Sequence, residues 1–119
     1  MRVYLTTFIL LLTGAMLSSC TSRPKLAFTP TELPPAQQGK PYRVQITISG
    51  QQTPVGQIFI EQGELPAGLA LHHQETHDTA EIKGTPKVKG TFKVTIGAWC
   101  FGTNVSGQTG QHTYMLTVE

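Results

Sequence analysis

From Tyr42 to Ser49 the chain alternates strictly. Tyr42, Val44, Ile46 and Ile48 occupy one set of positions, and Arg43, Gln45, Thr47 and Ser49 the other. A strand repeats every two residues, so this pattern predicts a strand with one face buried. Pro41 stands before it and Gly50 after it. The same period returns in Ile58 and Ile60, in Leu69 and Leu71, and in Ala80 and Ile82. It is longest at Phe92, Val94, Ile96 and Ala98, and it closes the chain at Tyr114, Leu116 and Val118. After the first twenty residues no stretch sustains a helical period. Short strands at regular spacing, punctuated by Gly and Pro, predict an all-β sandwich of antiparallel strands.

The first twenty residues, MRVYLTTFILLLTGAMLSSC, break that pattern. Arg2 gives a positive start, Phe8 to Leu12 an apolar run, and Leu17, Ser18 and Ser19 lead to Cys20. The run is too short to span a bilayer and has the form of a secretory signal. Its ending resembles the lipobox of bacterial lipoproteins, with Leu17 at −3, small residues at −2 and −1, and Cys20 at +1. That resemblance implies cleavage before Cys20 and acylation of Cys20 on its sulfur and its new amino terminus. Several acyl chains would make membrane attachment stable. Thr21, where an aspartate would retain the protein at the inner membrane, implies the outer membrane if the cell is Gram-negative. The expected organisation is a signal peptide over 1–19, a lipidated cysteine and short tether over 20–26, and a folded domain over 27–119. A tether of that length reaches only about 20–25 Å. The domain then sits against the membrane, and its partner is expected to be an envelope protein close to that surface.

Composition narrows the functions. The chain carries 9 basic and 7 acidic residues, and loss of Arg2 with the signal leaves a nearly neutral domain. Nucleic acid as a partner calls for a basic excess that is absent here. Of the two cysteines, Cys20 goes to lipid, so Cys100 has no partner within the chain and must be buried, bridged to another chain, or reactive.

The stretch LPAGLAL, then a hairpin, then EIKGTPKVKGTFKVTIGA, resembles the putative-Ig repeats of bacterial surface proteins, relatives of dystroglycan-type cadherin-like domains. The likeness is carried by Leu65, Pro66, Gly68, Leu69, Leu71, Ile82, Gly84, Thr85, Pro86, Gly90, Phe92, Val94, Ile96 and Ala98. It implies an Ig-like β-sandwich of about seven strands. It also implies a spacer, adhesion or binding role, and it brings no catalytic residues and no cofactor.

Three of the four histidines surround the sole aspartate in LHHQETHD. His72 and His73 are adjacent in a strand and point to opposite faces, so they cannot share one ion. Keeping Leu69, Leu71, Ala80 and Ile82 on the core face favours pairing Leu71 with Ala80 and Leu69 with Ile82. His73 would then face Asp78 across a four-residue loop. Zinc needs three or four ligands, and only His77 and Glu75 could join, so a decorated hairpin is the expectation. Too few carboxylates gather for calcium. GTPKVKGT lacks the lysine that a phosphate loop requires after its second glycine; Thr91 stands there.

Cys100 is in phase with Phe92 to Ala98 and should point inward. A Cys100–His112 pair could activate a thiolate, which keeps a thiol-based enzyme open as a competing reading. A ligand- or metal-binding lipoprotein is a third, using the histidines or the cluster Lys83, Lys87, Lys89 and Lys93, which could meet anionic headgroups. Trp99 and Phe101 are out of phase with the core, beside the loop that carries Asn104. Exposed aromatics anchor binding surfaces; the other reading is that Gly97 marks a bulge which turns Trp99 into the core or onto a neighbouring strand. These three residues are therefore the candidate partner-binding site of a non-catalytic, membrane-anchored module.

Overall fold

The computed structural model describes residues 25–102 and 107–119; Cys20 and Asn104 lie outside the described residues. Seven strands follow in order: β1 (Ala27–Thr29), β2 (Tyr42–Ser49), β3 (Val55–Gly63), β4 (Leu69–His73), β5 (Thr79–Gly84), β6 (Gly90–Cys100) and β7 (Thr109–Val118). They form two antiparallel sheets, ordered β1-β2-β5-β4 and β3-β6-β7. This is the four-plus-three arrangement of a constant-type Ig sandwich, as the sequence predicts.

The alternation sets the core. Ile46, Ile48 and Ile82 from one sheet meet Ile58, Val94, Ile96, Tyr114 and Leu116 from the other, and all are buried. Each such side chain contributes about 1.5–3 kcal/mol on leaving water. Tyr114 brings a hydroxyl inside, and that hydroxyl donates to the carbonyl of Pro30 at 2.8 Å.

The signature glycines mark a backbone crossing. Gly68 and Gly84 have φ of 93° and 138°. A Cβ on Gly68 would strike the carbonyl of Thr85, and one on Gly84 would strike the carbonyl of Gly68. At that contact the Thr85 N–H donates to Gly68 O at 3.1 Å, and the Lys87 N–H donates to Ala67 O at 2.9 Å. Only glycine fits both the conformation and the space.

This crossing corrects the expected hairpin register. Leu69 faces Gly84, Leu71 faces Ile82 and His73 faces Ala80, two residues away from the expected pairing. The apolar residues keep the core face in either register, so hydrophobicity alone could not separate them. The fixed Gly68–Gly84 contact does. The connection becomes Gln74 to Asp78, with Thr76 in the left-handed region at φ 71° and the His77 N–H donating to Gln74 O at 3.1 Å. Asp78 therefore does not face His73; its carbonyl accepts from the N–H of Ile48 at 2.7 Å.

The two sides of the sandwich differ. On one, the segment after β1 crosses between sheets and pairs Ala36 with Val118 in a parallel bridge. The Ala36 N–H donates to Thr117 O and the Glu119 N–H to Ala36 O, each at 2.8 Å. On the other side β3 and β4 are edge strands that do not pair with each other.

Candidate functional site

Trp99 and Phe101 project from the end of β6, and their rings meet edge to face with centroids 5.2 Å apart and planes at 85°. Both are half-buried. Trp99 stays out of the core, as its phase requires, but lies across β3: a Cβ on Gly56 would run into its six-membered ring. Gly56 is the extra residue where the β3–β6 register slips between Val55 and Gln57. Phe59 on β3 returns the gesture, its ring tip 3.0 Å from where a Cβ on Gly97 of β6 would stand. Two aromatics thus cover two glycines on facing strands and spread a flat apolar surface over the outside of the smaller sheet. Beside it, Gln111 donates its amide to Glu61 at 2.6 Å.

The backbone under this pair is braced. The Phe101 N–H donates to Pro54 O at 3.0 Å, and the Thr53 hydroxyl donates to Phe101 O at 2.6 Å. The Gln108 amide donates to Gly50 O at 3.1 Å and its side-chain oxygen accepts from the Gln52 N–H at 2.7 Å. Three segments are therefore tied together at this end, which holds the aromatics in place before any partner arrives.

Cys100 is buried, and burial pushes its thiol up. That favours the protonated form, the opposite of an activated nucleophile. His112 does not approach it. His112 faces Ile96, four residues along β6 from Cys100, about 13 Å at strand rise. Its Nε2–H donates to Thr31 O at 2.8 Å, and its ring packs on Phe28 and Tyr114 at 6.0 and 4.5 Å. His112 fastens the segment after β1.

The hairpin histidines also separate. His72 is exposed and faces Glu81, whose carboxyl is held below its usual range chiefly by the hydrogen bond from Arg43 at 2.6 Å. His73 turns inward and bridges the sheet edges. The Ile58 N–H donates to its Nδ1 at 3.2 Å, and its Nε2–H donates to His77 O at 2.7 Å, which fixes the neutral Nε2–H tautomer. Among the described residues no three His, Cys, Asp or Glu gather as a metal site. Lys83, Lys87, Lys89 and Lys93 are all exposed, with Lys83 Nζ 3.9 Å from Glu81.

Alongside Trp99 a groove of about 870 Å³ opens between β3 and β4, with Ile60, Leu65, Leu71, His73, Glu64 and Glu75 among its walls. Neither Phe59 nor this groove is evident from periodicity. The available signal is the facing glycine–aromatic pairs in VGQIF and IGAW, which is readable only once their register is known.

Known structures share the architecture. The SrpA adhesin of Streptococcus sanguinis, in the crystal structure of a mutant, aligns at TM-score 0.60 and 14% identity over 83% of this chain. This chain spans only 60% of that adhesin chain. A PapD-like domain of human CEP192 aligns at TM-score 0.51 and 11% identity, covering 82% of this chain and 87% of the domain. At such identities the likeness is one of fold. Among curated protein sequences none matches. A family model matches residues 25–119, and by that match the chain belongs to the family described as "Putative Ig domain".

Proposed function

We propose that this protein is a lipid-anchored envelope component acting as a non-catalytic protein-binding module, tethered through Cys20 and recognising its partner with the end of the sandwich that carries Trp99 and Phe101. The observation that carries this reading is the braced, half-exposed aromatic pair at 5.2 Å. Aromatic side chains held rigidly beside solvent give large contact area at little entropic cost, which is the usual composition of a binding hot spot. The lipobox-like LSSC ending supports the anchor, and Thr21 supports the periplasmic side of an outer membrane. The short tether favours a partner at that same surface. A buried Cys100 thiol and a His112 engaged elsewhere give the thiol-enzyme reading little support.

In-cell photo-crosslinking tests the reading, with the crosslinker at Phe101 and, as control, at exposed Gln45 on the outer face of β2. A discrete protein adduct from Phe101 alone is expected. Adducts from neither position would remove the binding role.

A further inference from the structure

Among the described residues, the side of the sandwich opposite the Ala36–Val118 bridge is left open. Leu71 follows the inward phase of β4, yet it and Leu65 remain half-exposed because the sheets part along this seam, and Ile60 is 38% exposed. The seam also presents backbone. The Thr85 N–H bonds to Gly68 O. In an antiparallel ladder that makes Ala70 and His72 the residues bonded to β5 and turns the N–H and C=O of Leu71 toward the seam. The edge of β3 is guarded instead, since His73 Nδ1 already accepts the N–H of Ile58. Among the described residues, the charged ones that line the groove are Glu64 and Glu75, with no lysine or arginine.

We propose that this seam docks an extended segment of a partner protein that adds a strand to the β4 edge, with apolar side chains packing on Ile60, Leu65 and Leu71 and lysine or arginine flanking them to meet Glu64 and Glu75. Strand addition supplies affinity through main-chain hydrogen bonds and specificity through alternate side chains. The two carboxylates select a basic segment over an acidic one. β4 has five residues, so the paired core of the segment is about five residues, roughly 17 Å. Trp99 also lines the groove, which makes the seam continuous with the surface proposed above. The inference rests on that reading, and it names the chemistry of the partner.

Trp99 is the only tryptophan in the chain, so its emission reports on the groove directly. The test uses the full chain in non-ionic detergent, titrated with a seven-residue peptide alternating lysine and valine. The expected result is a saturable change in emission. The same peptide with glutamate for lysine should give none, and one with N-methylated valines, which lacks pairing N–H groups, should bind at least tenfold more weakly. Glu64→Lys with Glu75→Lys, both at exposed positions, should weaken the lysine peptide several-fold. Absence of binding by the lysine peptide would overturn the proposal. So would equal binding by the glutamate or N-methylated peptides, or a response to a neutral oligosaccharide in their place. If the Phe101 adduct persists in cells while the lysine peptide fails to bind, the seam proposal falls and the binding module stands. If both fail, the binding reading falls with it.

Discussion

Gly68 and Gly84 show how two missing side chains set a register. Each holds a positive φ, and each stands where a Cβ would meet a carbonyl of the crossing segment, Thr85 O for Gly68 and Gly68 O for Gly84. Gly68→Ala combines a strained backbone, about 1–3 kcal/mol, with a steric overlap that the crossing cannot relieve. It is expected to lower stability by at least that amount in urea denaturation, whereas Ala70, exposed two residues further on in β4, should tolerate serine within about 0.5 kcal/mol. Cys100 illustrates what burial does to a thiol. With its thiol inside and its ionisation disfavoured, labelling by a thiol reagent in native buffer should be slow and should become complete only on unfolding. Rapid native labelling would show that the thiol is reachable.

At the scale of elements, the strands themselves were legible. Alternation marks β2, β6 and β7, and the Gly/Pro punctuation marks where β4 and β5 begin and end. The pairing of β4 with β5 was not legible to the residue, because shifting by two preserves every buried face and only the Gly68–Gly84 contact discriminates. The role of His73 was hidden for the same reason. Sequence spacing puts Asp78 opposite it, whereas the true register puts Ala80 there and leaves the ring to reach the Ile58 N–H of the other sheet. As the acceptor for the Ile58 N–H, His73 joins two edges that share no ladder. His73→Ala leaves that N–H without its partner at a half-buried site, and a loss of about 1–3 kcal/mol is expected. Faster amide exchange at Ile58 would accompany it; unchanged exchange would show that the bond contributes nothing. Trp99 was placed outside the core by its phase. That it lies flat on β3 depends on Gly56, a bulge that period-two reasoning cannot see.

At the scale of the whole molecule, the described residues form a sandwich closed on one side and open on the other, with two tyrosines contributing to its coherence. Tyr114 donates to Pro30 O and Tyr42 to Pro34 O, both at 2.8 Å, and both hydroxyls hold the segment between β1 and β2. Burial pushes each up to about 12, so the folded chain keeps protons that an unfolded chain sheds near pH 10. The unfolded state then binds fewer protons, and stability falls as pH rises from 10 toward 12. Urea midpoints measured across that interval should decline, and Tyr114→Phe should flatten the decline while costing about 0.5–1.5 kcal/mol at neutral pH. A midpoint constant through pH 12 would contradict it. The Arg43–Glu81 pair, with its Arg43 side well exposed, should add little to the response at low pH. Anchor and sandwich together make the central claim, namely that a rigid aromatic end is presented to a partner at the membrane. The most direct measurement is photo-crosslinking from Phe101 in two strains side by side. One carries the natural residues 1–20, and the other a secretory signal with no cysteine at its cleavage site. A discrete protein adduct is expected in the first, and its loss or marked weakening in the second. An adduct of equal strength in both would contradict the anchored half of the claim, and none in either would contradict the binding half.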